Sequence, residues 1–180
     1  MIARLQRRED HGECALWYFD GAGFCLEPSI PYAWQPIGSS IEVPASSHGR
    51  RLNVLGFLRR NNDLVPYMVE GSVDSSVIIE CFAQLSKQMT QRSYVFLDNA
   101  PMHRSTAFIA QIPKWVRRGL IVKYLPAYSP KLNLIEILWR FMKYSWLPFS
   151  AYASFKNLLE AVEDILKRFG IDYKIAFQTT

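Results

Sequence analysis

At 180 residues with a formal net charge of +5, the chain has room for one sizeable core and little for a second. Its 49% hydrophobic and 21% charged residues exclude a disordered chain, and no run reaches the roughly 18 uninterrupted apolar residues of a membrane-spanning helix. Cys14, Cys25 and Cys81, far apart and without a CxxC pair, point to neither a disulfide framework nor a zinc site, so one cytoplasmic domain is expected.

Residues 1–13 mix Arg4, Arg7 and Arg8 with Glu9 and Asp10 and lack an apolar core, so they read as an extension or linker rather than a secretory signal. Cys14 to Phe19 reads as a strand ending at Asp20, with a turn at Gly21 and Gly23 and a second short strand over Phe24 to Leu26. Pro28, Pro31, Pro36 and Pro44 then mark an irregular connection with room for a strand at Ile41 to Val43. Leu52 to Leu58 and Leu64 to Val69 read as strands joined by a turn at Asn61 to Asp63.

Asp74, Ser75 and Ser76 mark a helix start, and Ile78, Cys81, Phe82 and Leu85 then fall on one helical face. Tyr94 to Leu97 is a wholly apolar run, a strand covered on both faces, and it ends at Asp98. A helix is expected over Thr106 to Arg118 despite Pro113, then a buried strand over Leu120 to Leu125. Asn133 can cap a helix from Leu134 to about Trp146, and Phe155, Leu158, Leu159, Val162, Ile165, Leu166 and Phe169 form the stripe of a last helix. The order predicts an α/β fold, a mixed sheet flanked by helices.

The sequence pI is near 9.2, and the charge is unevenly spread. From Asn99 to Ile135 there is no acidic residue, while Arg104, Lys114, Arg117, Arg118, Lys123 and Lys131 are basic. Such a stretch can follow a phosphate backbone, or it can be a solvated helix face. Asp20 and Asp98 sit where apolar strands give out, and Glu136 opens a helix, the places where sites form in an open α/β sheet. Glu136 shares a face with Trp139, Arg140 and Lys143, while Leu134, Leu138, Phe141 and Met142 point to the core. By spacing alone each acid also has a plain reading: Glu136 as a surface pair with Arg140, Asp20 and Asp98 as turn residues.

Three segments, in order, resemble motifs of the bacterial mariner-related transposases, the insertion-sequence 630 family of the DDE superfamily. Trp17-Tyr-Phe-Asp20-Gly-Ala-Gly-Phe24, with Trp34 and Gly38 beyond, resembles the first; Tyr94-Val-Phe-Leu-Asp98-Asn-Ala-Pro-Met-His103 resembles the second. Leu125-Pro-Ala-Tyr-Ser-Pro-Lys-Leu-Asn-Leu-Ile-Glu136, continuing to Trp139 and Lys143, resembles the third and is the most specific of them. Two positions depart from the family: Gly21 stands where an acidic residue is usual, and Leu134 where proline is usual.

The resemblance implies a ribonuclease H-like catalytic domain over residues 14–180, with Asp20, Asp98 and Glu136 as catalytic residues and ligands of two Mg2+ ions, Mn2+ substituting. It implies cut-and-paste DNA transposition: hydrolysis of a phosphodiester at the element's end, then attack of the freed 3′-hydroxyl on target DNA. Arg140, Lys143, His103, Lys131, Lys123, Arg117 and Arg118 are the candidate DNA contacts; His103 also reads as a cap or surface residue, and Trp139 as core or a stacking wall. Family kinship further implies a TA target, a homodimer on DNA, a place at the nucleoid, and a helix-turn-helix module that residues 1–13 do not supply, so that it comes from a separate or frameshift-joined reading frame or the chain is a truncated relic. Two alternatives share these features: another ribonuclease H-like nuclease of resolvase type, and an inactive DNA-binding remnant.

Overall fold

The computed structural model describes residues 2–27, 50–126 and 130–177. The strand expected at 41–43, the positions of Trp34 and Gly38, and residues 127–129 of the third motif lie outside this set.

Five strands form one mixed sheet: β1 (Ala15–Phe24), β2 (Leu52–Leu58), β3 (Leu64–Glu70), β4 (Ser93–Leu97) and β5 (Leu120–Tyr124). Their spatial order is β3-β2-β1-β4-β5. The first three pair antiparallel, β2 and β3 through the short turn at 59–63, whereas β4 adds parallel to β1 and β5 parallel to β4. Parallel neighbours need crossovers, supplied by α2 (Ser75–Lys87) before β4 and α3 (Thr106–Arg117) before β5. Pro66 sits inside β3, which is tolerated because β3 is an edge strand.

β1 explains how two layers share one sheet. Its residues alternate in direction: Ala15, Trp17 and Phe19 pack under α2 and α3 with Phe82, Phe108 and Trp115, while Leu16, Tyr18, Ala22 and Phe24 face the other core. That second core is covered by α4 (Ile135–Phe141) and α5 (Phe155–Arg168), whose Leu158, Val162, Ile165 and Leu166 are buried. Asp74 caps α2 by accepting from the Ser76 and Val77 amides, as its side chain and position predict.

Three local expectations are corrected. β1 does not end at Asp20: Gly21 and Gly23 remain in an extended ladder paired with Leu55 and Asn53 of β2, so strand, turn and strand become one ten-residue strand. The helix expected from Leu134 to Trp146 is α-helical only to Phe141 and continues as a π-helical turn over Met142–Trp146. Its buried stripe is Ile135, Leu138, Trp139 and Met142, so Trp139 belongs to the core, whereas Phe141, expected inside, is 39% exposed and stacks on Trp146.

Within the extension read at 1–13, helix α1 spans Ile2–Asp10. Leu5 enters the core, and the Glu9 carboxylate accepts from Leu16 N at 2.9 Å and Arg60 Nε at 2.8 Å. The charges that obscured an apolar pattern here are the ones that tie the helix to the sheet. No helix among the described residues is long and apolar enough to cross a membrane.

Candidate active site

The β1–β4 register carries the first two carboxylates toward each other. Tyr18 stands opposite Phe96 in this parallel pair, so two steps further along each chain come Asp20 and Asp98. Side-chain alternation turns Asp20 toward the face that α4 covers, between buried Tyr18 and Ala22.

Glu136 arrives on that face because the sheet is thinned under α4. Gly56 of β2 pairs with Asp20, and a Cβ on Gly56 would lie only 3.0 Å from Ile135 Cδ1 and 3.1 Å from Trp139 Cη2. The missing side chain lets the helix settle onto the strand beside Asp20. Asn133, expected to cap this helix, does something else. It is buried, donates from Nδ2 to Phe19 O at 3.1 Å, and its own carbonyl accepts from Glu136 N at 3.0 Å. One residue thus links the backbone just before Asp20 to that of Glu136.

Asp20 lies where two cavities meet. The larger, about 820 Å³, runs toward α4 and is lined by Asp20, Glu136, Lys131, Arg140, Lys143 and Arg51. The smaller, about 540 Å³, runs toward the end of β4 and is lined by Asp20, Asp98, His103 and Arg51 among others. Asp20 therefore shares one cavity with each of the other two acids. Among the described residues no three His, Cys, Asp or Glu side chains stand close enough to form a ready-made chelate.

Electrostatics separate the three. Burial pushes the Asp20 carboxyl up to about 7, and Glu136 and Asp98 push it the same way, against a backbone amide and Lys143. Burial also raises Glu136, helped by Asp98 and opposed by Arg140. Asp98 is the exposed one: its Oδ1 accepts from Ala100 N at 3.0 Å and lies 2.7 Å from His103 Nδ1.

The predicted contacts divide sharply. Arg140, Lys143 and Lys131 line the α4 cavity. His103 is 5% exposed, its ring against Phe19 and Phe108, so it is a buried partner of Asp98 rather than an open phosphate contact. Lys123 lies in β5 and lines neither cavity. Arg117 and Arg118 end α3 just before Leu120, at the opposite end of the sheet from Asp98, where Arg118 donates to Ser86 Oγ at 3.1 Å. Sequence reasoning missed Arg51, Asn133 and Gly56; only the third motif's Asn133 carried any signal.

The sheet order and flanking helices are those of the ribonuclease H-like fold, and solved structures bear this out. The Mos1 mariner paired end complex with Mn superposes with a TM-score of 0.66 at 14% identity, covering 96% of this chain and 53% of that one. The Mos1 paired end complex with Mg gives 0.61 at 15% identity, covering 92% and 51%. The catalytic core domain of BIV integrase gives 0.52 at 13% identity, covering 86% and 82%. This chain spans about half the length of the Mos1 chains. Comparison with curated proteins gave no match. The family described as DDE superfamily endonuclease matches residues 15–159, and the chain belongs to it.

Proposed function

We propose that this domain is the catalytic part of a DNA transposase, of the bacterial insertion-sequence 630 type, which cleaves phosphodiesters at the ends of a mobile element and joins the freed 3′-hydroxyl to target DNA. The observation that carries this reading is the position of Asp20: a partly buried carboxylate, without an ion pair among the described residues, flanked by Asp98 across one cavity and Glu136 across the other. Asp20, whose proton affinity burial and the neighbouring Glu136 and Asp98 raise, needs a cation to stay ionised beside them.

The donor set fits hard divalent ions. Carboxylate oxygens with no thiolate among them select magnesium, with manganese as substitute; Asp20, Asp98 and Glu136 would hold the ions. When bound, such a pair activates water or a 3′-hydroxyl and neutralises the oxygen that departs. The Mn and Mg complexes of Mos1 support this choice for a domain of the same fold.

The chain's own cations complete the cleft. Arg140, Lys143 and Lys131 hold the DNA backbone on the α4 side, while Asn133 and the Gly56 gap set the helix that carries Glu136. Backbone contacts of this kind make binding steeply salt-dependent. In this reading the domain works as a homodimer at the nucleoid, with end recognition supplied by a helix-turn-helix part.

The deciding experiment incubates purified protein and Mg2+ with DNA bearing the element's terminal repeats. Wild type nicks and joins, and Asp98→Asn loses both while keeping its thermal midpoint. Nicking without joining would favour a resolvase-type nuclease, and equal nicking by Asp98→Asn would remove Asp98 from the mechanism.

A further inference from the structure

Arg51 is the cation common to both cavities that meet at Asp20, and its setting is unusual. It is exposed and directly precedes β2, with its carbonyl accepting from Gly71 N at 3.3 Å. The side chain crosses to β1 and packs against Gly23, where a Cβ would overlap Nη2 and Nε, with Cζ just behind them. The two nitrogens lie nearer than the carbon between them, so the Nε–Nη2 edge of the group rests on the glycine and the Nη1–Nη2 end is left for hydrogen bonds. Among the described residues Arg51 forms no ion pair, whereas its neighbour Arg50 is joined to Glu70.

We propose that Arg51, seated on Gly23, is a phosphate-binding residue that grips the DNA strand where it passes over Asp20 from the Glu136 cavity to the Asp98 cavity. The inference rests on the reading of this cleft as a DNA site and adds to it a residue outside the three motifs. A guanidinium suits the role because its donors form a planar fork that meets two phosphate oxygens at once. Held against a strand, it has less rotamer freedom to lose on binding than a surface arginine without such a contact. A contact to phosphate carries no base preference, so it can be measured without knowing the terminal repeat.

The test is fluorescence anisotropy with a short fluorescein-labelled duplex carrying a 3′ single-stranded tail, in calcium, across a salt series. Arg51→Ala should bind several-fold more weakly and flatten the plot of log affinity against log salt by about 0.9, the contribution of one phosphate contact. Gly23→Ala should move the same way by unseating the guanidinium with no change of charge, and Arg51→Lys should restore the slope but only part of the affinity. Arg117→Ala, at the far end of the sheet, should leave the affinity unchanged. Arg51→Ala binding like wild type, or Arg117→Ala losing as much, would overturn the proposal while leaving the catalytic reading to the cleavage assay. Binding that depends on Arg51 in a protein that never nicks DNA would keep the phosphate seat and overturn the catalytic reading. A wild type that binds no DNA overturns both.

Discussion

His103 Nδ1 lies 2.7 Å from Asp98 Oδ1, and the imidazole is buried while the carboxylate is exposed. An ionised carboxylate can only accept, so Nδ1–H donates and fixes which oxygen of Asp98 faces the cleft. The ring is itself held, edge-on to Phe19 with centroids 5.6 Å apart, while Tyr124 Oη donates to the His103 carbonyl at 2.6 Å. His103 is therefore a positioning residue for the second carboxylate. Partners that orient a metal ligand are commonly worth about 10- to 100-fold in metal affinity. His103→Ala should weaken Mn2+ binding in calorimetry by that factor and slow cleavage, and His103→Gln, able to donate from its amide, should recover part of both. Unchanged Mn2+ affinity in His103→Ala would end this assignment.

Asp20 predicts an inverted pH response in the metal-free protein. Its carboxyl titrates near 7 in the fold and near 3.9 in an unfolded chain. Between those values the native state holds a proton that the unfolded state has lost, so stability falls as pH rises from about 4 to about 7. Above about 7 the penalty is complete. The thermal midpoint in chelator should accordingly drop across this range, and Asp20→Asn should remove much of the drop. Mn2+ at pH 7.5, by replacing the proton as the carboxylate's partner, should raise the wild-type midpoint and leave that of Asp20→Asn nearly unmoved. A midpoint that climbs steadily from pH 4 to 7 in both proteins would contradict the assignment.

Much of the architecture was legible because its signals are local. The apolar run before Asp98 can only be a covered strand, the Asp74 cap and its stripe can only be α2, and the Phe155 to Phe169 pattern is α5 with nearly its observed bounds. The three acids were singled out only by motif resemblance, since nothing in their spacing separates a ligand from a turn residue; what the fold adds is that Asp20 shares a cavity with each of the other two. What escaped reading depends on neighbours distant in the chain. Gly21 and Gly23 look like a turn until β2 is seen beside them, and Asn133 looks like a cap until Phe19 O takes its amide. Phe141, expected inside, is exposed because Ile135 and Trp139 are the residues that α4 turns onto Gly56 of β2. Arg51 carries no motif at all, and only the fold brings it over Gly23.

Gly56 offers a way to separate the fold from the active-site geometry. A methyl there would stand 3.0 Å from Ile135 Cδ1 and 3.1 Å from Trp139 Cη2, tighter than ordinary contact, so these side chains, and α4 where they do not yield, must give by a few tenths of an ångström. Overpacking of this kind costs about 1–3 kcal/mol, read as a lower urea midpoint for Gly56→Ala. Glu136 moves with any shift of the helix, and if it is catalytic as proposed, rate falls steeply with small displacements, so the nicking rate should fall further than the lost fraction of folded protein explains. Trp139→Leu removes the ring that the methyl strikes and alone leaves a cavity. Combined with Gly56→Ala, the two changes should offset each other, with a coupling of roughly 1 kcal/mol or more in the double-mutant cycle and a partial return of nicking. Simple additivity in both stability and rate would mean that α4 is placed by something other than this contact, and the Gly56 gap would then have no part in bringing Glu136 to Asp20.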